Sequence, residues 1–277
     1  MKDKIFVTHN YHCHTKRCGH ATGEDEEYVL KAIEGNYKLL GFSDHIFLPG
    51  LEQPGMRGSY SLLDGYTSSI RNLAKKYKGK IDICLGFEAE WYGEKFRKYY
   101  QNLLGQGIVQ YLICGQHCFL DDSNRFVWYG SIFDEESRKE RTIQYANALI
   151  DAMKSGLFLY IAHPDLFMSW NPSWDETCEE CARKIISAAK ERDVVLEVNM
   201  GPSRWGKKDA YGNPLPSYPN GRFWELVSEA EVHSIIGVDS HRPEELTDSP
   251  FDWIRRFLEE RHLRPFPSLP LKGIESK

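Results

Sequence analysis

The chain has 277 residues, 41% of them apolar and 27% charged, with a net charge of −5. That length gives room for one sizeable core or two small ones, and the acidic balance argues against a dedicated nucleic-acid binder. No apolar run has signal-peptide length at the N-terminus or approaches the roughly 20 residues of a membrane span. Seven cysteines cannot all pair within the chain, so reduced thiols in a cytoplasmic protein are expected.

No repeat, low-complexity tract or linker divides the sequence, which is read as one domain over residues 1–277. Taken in order, seven short apolar runs each lead into a polar or metal-binding residue. "KIFVTHNYHCH" reaches His12 and His14, with His20 in the loop beyond, and "LLGFSDH" reaches His45. "IDICLGFEAE" carries Glu88 and Glu90, "QYLICGQH" ends at His117, and "LFLYIAHPD" ends at His163 and Asp165. "VVLEVN" carries Glu197 and Asn199, and "HSIIGVDSH" ends at Asp239 and His241. Each run reads as a buried strand with a functional group at its C-terminal end.

Amphipathic helices are expected between them. "GEDEEYVLKAIEGN" is acidic at its start, "SLLDGYTSSIRNLAKKY" has Ser61 as its N-cap, and "DEESRKERTIQYANALIDAMKSG" ends at Gly156. "DETCEECARKIISAAKERD", "GRFWELVSEAE" and "FDWIRRFLEERH" follow. The CxxC of Cys178 and Cys181 falls within a helix and is read as two thiols one turn apart. Strands alternating with helices imply a parallel sheet with helical crossovers. Polar groups at all seven strand ends favour closure into a (β/α)7 barrel, because a barrel gathers those ends at one mouth.

Residues i and i+2 of a strand point to the same side, so His12 with His14, and Asp239 with His241, can each reach one ion. His9, His233 and His262 fall outside the set. Nine nitrogen and carboxylate ligands exceed what one ion needs, which suggests two or three ions with a carboxylate bridge.

The motifs "YHCHTKRCGHATGEDEEYVLKAIEGNYKLLGFSDH", "LGFEAEW", "GQH", "AHPDLF" and "GVDSHRPEEL" appear in an order that resembles the PHP (polymerase and histidinol phosphatase) family. Within that family it resembles the histidinol-phosphate phosphatase branch. The resemblance covers nearly the whole chain and implies a distorted (β/α)7 barrel with a trinuclear metal centre. It implies that His12, His14, Glu88 and Asp239 hold one ion, and that Glu88 bridges to a second held by His117 and His163. His20, His45 and His241 would hold the third; the metals could be Zn, Mn or Fe. The implied reaction is hydrolysis of a small phosphorylated substrate, L-histidinol phosphate of histidine biosynthesis, by a metal-bridging hydroxide.

Arg204, in a loop after the sixth strand, is the first candidate to bind phosphate, with Arg17 and Arg57 behind it. Asp165 is expected either to orient His163 or to give a proton to the leaving group, and Asp44 is read as structural. Phe47, Trp205 and Tyr211 could stack on an imidazole, and Glu52 or Glu90 could bind an amine. Three rival readings remain. One is a phosphoesterase of the same family with other specificity, such as a protein-tyrosine phosphatase or a promiscuous phosphatase. The others are a nuclease or proofreading module and a non-catalytic metal-binding protein. Oligomeric state is not readable from the sequence.

Overall fold

Seven parallel staves form a ring in the computed structural model, which describes residues 5–271. Lys4, with which the first expected strand begins, lies outside that range. Strands β1 (His9–Asn10), β2 (Leu39–Phe42), β3 (Asp82–Ala89) and β4 (Tyr111–Cys114) make one parallel sheet in that order. The fifth stave is held at Ile161, which bridges Cys114 on one side and Leu196 on the other. Next come β7 (Leu196–Asn199) and β10 (Ser234–Gly237), paired in parallel. Cys13 bridges Ser240, where the His14 N–H donates to the Ser240 carbonyl at 2.9 Å, and the ring closes. The architecture is a distorted (β/α)7 barrel, and the shortness of β1 and of the fifth stave is the distortion.

The helices α1 (Asp25–Glu34), α2 (Leu63–Lys76), α3 (Glu94–Gly105), α4 (Glu135–Ser155), α5 (Glu176–Arg192), α7 (Gly221–Glu229) and α9 (Phe251–Glu260) are the longer ones of the barrel. Local chemistry sets their ends. Asp134 accepts from Ser137 N at 2.8 Å to start α4, and Gly156, at φ 67°, stops it. Ser61 does not cap α2: a 3-10 turn over Tyr60–Leu62, with Ser59 at the N-cap position of the turn, precedes the helix, whose own N-cap position is Leu62. Helix α3, absent from the sequence reading, buries Phe96, Tyr100 and Leu103 on one face.

Two small antiparallel hairpins stand apart from the ring, β5 (Cys118–Leu120) with β6 (Phe126–Trp128) and β8 (Lys207–Lys208) with β9 (Pro214–Leu215). The short helix α6 (Gly201–Trp205) follows β7 directly, and α8 (Glu245–Asp248) follows the last stave. Inside the ring, Tyr111 fills the floor and donates to the carbonyls of Tyr11 and Phe42 at 2.8 and 3.1 Å. All seven cysteines are free and buried, Cys178 and Cys181 within α5. Among the described residues no helix is long and apolar enough to cross a membrane.

Candidate metal centre

The C-terminal ends of six staves deliver side chains to one point, and Glu88, at 1% exposure, lies at its centre. Its Oε1 is 2.8 Å from His163 Nε2, 3.4 Å from His12 Nε2 and 3.6 Å from His117 Nε2. Its Oε2 is 3.0 Å from His45 Nδ1 and 3.6 Å from His14 Nε2. Asp239 Oδ1 faces His14 Nε2 at 3.2 Å and His12 Nε2 and His241 Nδ1 at 3.5 Å each. At the rim His20 Nε2 stands 3.1 Å from His241 Nε2. The seven histidines singled out in the sequence therefore meet. His9 instead contacts Thr8, and the His233 ring lies tilted against Phe266.

Burying polar atoms without partners is costly unless something else satisfies them. His12 Nε2, His14 Nε2, His45 Nδ1, Glu88 Oε2 and Asp239 Oδ1 are all buried without a hydrogen-bond partner. Their ligand atoms fall into overlapping groups within 4.8 Å: His12, His14 and Asp239; His12, Glu88 and His163; His45, Glu88 and His117; His14, His45 and His241. The set fits divalent metal ions, with Glu88 shared between groups. Burial pushes the Glu88 carboxyl up, but His117, His12 and His45 outweigh it and hold the group well below the usual carboxylate range. Asp239 is held down in the same way, chiefly by His12 and His14 against its burial. Two of the strand ends are bent into the left-handed region, His163 at φ 33° and Asp239 at φ 52°. That conformation costs roughly 1–2 kcal/mol for a residue with a Cβ, and the surrounding contacts must hold it.

A second layer of carboxylates stands behind the histidines. Glu197 Oε1 lies 2.8 Å from His12 Nδ1, and Glu90 Oε1 lies 3.3 Å from His117 Nδ1. Such contacts fix which ring nitrogen faces the centre. Glu90 is in turn gripped by Arg57 at 2.8 and 3.0 Å. Asp44 approaches His14 Nδ1 at 3.8 Å and accepts from His45 N at 2.9 Å. Sequence reading noticed Glu197 only for its spacing. It missed Gly237, where a Cβ would come within 1.7 Å of Glu197 Oε1.

The three arginine candidates do not offer free guanidinium groups to the mouth. Arg204 turns behind the last stave and donates to the carbonyls of Val238 and Asp239 at 2.7 and 2.5 Å. It does so because α6 starts immediately after β7 and carries residue 204 over the end of β10. Arg17 forms a two-pronged pair with Asp25 at 2.7 and 2.8 Å, and Arg57 is buried against Glu90. Asp165 makes no hydrogen bond to the His163 ring; its Oδ2 accepts from Asn220 N at 2.6 Å and Trp224 Nε1 at 3.1 Å. Burial raises its carboxyl to about 7, with Asn220 and Trp224 pulling the other way. Of the expected stacking aromatics, Phe47 is in the core against Tyr66 and Phe87, Tyr211 is 91% exposed, and Trp205 lines a cavity beside the centre. Glu52 is exposed and bonded to Ser59.

A ring of parallel staves with a histidine and carboxylate cluster at its C-terminal mouth defines a β/α barrel built around a candidate metal centre. The chain belongs to the PHP domain family, whose domain matches residues 10–201. It is 26% identical over 242 residues to the "Probable histidinol-phosphatase" of Deinococcus radiodurans, covering 85% of this chain and 86% of that protein. The fold is similar to that of the histidinol phosphate phosphatase of Lactococcus lactis subsp. lactis Il1403, solved with zinc, L-histidinol and phosphate. That superposition has a TM-score of 0.68 at 17% identity and covers 94% of this chain and 95% of the other. The hisK protein of Listeria monocytogenes superposes with a TM-score of 0.67 at 21% identity, covering 86% and 96%.

Proposed function

We propose that this protein is a metal-dependent phosphomonoester hydrolase acting on L-histidinol phosphate, with residues 1–277 as one catalytic unit. The observation that carries the reading is the set of buried, unpartnered nitrogen and carboxylate atoms converging on one mouth. The name of the Deinococcus relative and the molecules bound in the Lactococcus structure support it.

In this reading His12, His14, Asp239 and Glu88 hold one divalent ion, Glu88 with His117 and His163 a second, and His20, His45 and His241 a third. The Lactococcus complex favours zinc, and mixed histidine and carboxylate ligation also suits manganese or iron. Bound ions of this kind supply Lewis acidity toward phosphoryl oxygens and toward water. The chain's own residues prepare for that. Glu88 and Asp239 are anionic throughout the neutral range, and Glu197 accepts a hydrogen bond from the Nδ1–H of His12, which leaves the Nε2 lone pair free to bind a metal. Glu90, clamped by Arg57, does the same for His117.

The test is phosphate release from L-histidinol phosphate before and after exhaustive chelation. Activity should disappear with the metal and return with Zn, Mn or Fe. Undiminished release by protein shown to be metal-free would overturn the proposal. A family phosphoesterase of other specificity is the second reading, favoured by one observation: among the described residues, no carboxylate lines the cavity beside His117.

A further inference from the structure

We infer that the leaving group is recognised by an aromatic ring held in a slot between the two hairpins, and that an ammonium on the leaving group contributes little. The inference rests on the phosphomonoesterase reading and names the substrate feature that the same site selects.

A cavity of about 880 Å³ opens beside His117. Its size lies within the range of small-molecule sites and exceeds the need of phosphate alone. Trp128 of the β5–β6 hairpin, Trp170 and Tyr218 wall it together with Trp205 and Leu215 around the β8–β9 hairpin. Neither hairpin pairs with a barrel stave, so closing the barrel does not require them.

Three observations place the slot beside the candidate metal centre. His117, on the lining, is 3.6 Å from Glu88. The Tyr218 ring sits edge-on to His163 at 6.1 Å. The Trp205 indole edge and Asp239 Oδ2 lie 2.7 and 2.8 Å from the point where a Cβ on Gly201 would stand. A phosphoryl group at the centre would therefore direct its ester substituent into the slot.

The walls favour a ring. Trp128, Trp205 and Leu215 are 45%, 59% and 56% exposed, apolar area that a planar group would remove from water. Trp170 is fixed in advance, donating to Thr142 Oγ1 at 3.1 Å and stacking on Tyr129. The charges do not favour an amine. Among the described residues the lining holds no carboxylate, and its one Lys or Arg, Lys207, repels an ammonium. Glu90 is already paired with Arg57, and Glu52 lies outside the lining.

The metal-loaded protein is assayed with four primary alkyl phosphates: L-histidinol phosphate, 3-(imidazol-4-yl)propyl phosphate, 3-phenylpropyl phosphate and O-phosphoethanolamine. Similar leaving alkoxides keep intrinsic reactivity from dominating the comparison. The three ring-bearing esters should agree in kcat/KM within about fivefold, with phosphoethanolamine roughly tenfold or more below them, about 1.4 kcal/mol. Trp205→Ala should narrow that gap. Lys207→Glu, at an exposed site, should favour histidinol phosphate over its desamino analogue. Binding is read separately by indole fluorescence, with 2-phenylethylphosphonate and 2-aminoethylphosphonate as unhydrolysed probes. Phosphoethanolamine turned over as well as the ring-bearing esters, or equal binding of the two phosphonates, would overturn the slot. If none of the four esters is hydrolysed, the phosphatase reading falls, and the phosphonate preference still decides whether the slot selects a ring.

Discussion

The carboxylate of Glu88 occupies the space that a side chain at Gly115 would need: a Cβ built there would stand 1.8 Å from Glu88 Oε1. Gly115 precedes Gln116 and His117 at the end of β4, next to the stave that carries Glu88. The absence of a side chain at one position thus allows the central carboxylate at another. Gly115→Ala should push Glu88 off its position. Overpacking of this kind costs roughly 1–3 kcal/mol, so the protein should still fold while metal content and phosphatase activity fall together. Metal analysis on folded, purified protein checks this, and full metal content in the variant would show that Glu88 is not a ligand.

Glu197 should act through His12. It accepts from the His12 ring, from Tyr160 OH at 3.2 Å, from His163 N at 3.1 Å and from Asn199 Nδ2 at 2.9 Å. One carboxylate therefore positions groups on three staves. Loss of such a partner typically lowers metal affinity by roughly 10–100-fold. Glu197→Gln is expected to reach that range in a competition titration against a chelator, with little change in circular dichroism. Unaltered affinity would leave Glu197 as a packing group only.

Away from the mouth, Glu179 links α5 to α7. Its carboxylate accepts from Arg222 Nη2 at 3.1 Å, Arg222 Nε at 3.2 Å and Trp174 Nε1 at 2.9 Å. Arg222 above all, with Trp174 and Arg183, pulls the carboxyl down to about 2 against the opposing effect of burial. A depressed carboxyl stabilises the fold above its ordinary value near 4.5, and that contribution is lost as pH falls toward 2. Glu179→Gln should therefore lower Tm at pH 7, and the gap to the parent should close below about pH 4. Both side chains are partly exposed, so solvent screening limits the effect to about 1 kcal/mol. A gap that persists unchanged at pH 2.5 would trace the loss to packing rather than charge.

The staves were legible because parallel strands buried on both faces read as apolar runs, and the functional side chains follow directly where those runs stop. His12 with His14, and Asp239 with His241, could be paired by local spacing alone. Arg57 and Glu90 could not: 33 residues separate them, and nothing near either one announces the other. The same holds for Arg204, whose partners are the carbonyls of a stave more than thirty residues later. Gly115 and Gly237 matter for the space they leave, which no residue pattern displays. Hairpins with strands of two or three residues are too short to show a period, yet they supply much of the cavity wall. Phe47 shows the reverse error, since a loop aromatic after a strand can as readily turn into the core.

Arg204 gives the sharpest separation between positioning and phosphate recognition. Its guanidinium holds the carbonyls of Val238 and Asp239, and it touches Ser249 Oγ at 3.3 Å and Glu245 at 3.5 Å. Asp239 is the residue whose backbone bends to φ 52° as it turns its carboxylate toward His12 and His14. Removing the guanidinium leaves two carbonyls of the strand end without this donor, a loss of roughly 1–3 kcal/mol. Arg204→Ala should accordingly lose metal and kcat, while the KM of the metal-saturated variant for a phosphomonoester stays near that of the parent. Arg204→Lys should recover part of the metal content, because an ammonium can reach one carbonyl but lacks the planar fork that reaches both. A contact with phosphate predicts the opposite pattern, full metal content with a raised KM. Parallel measurement of metal stoichiometry and KM on the two variants distinguishes the cases, and a raised KM at full occupancy would return Arg204 to the mouth.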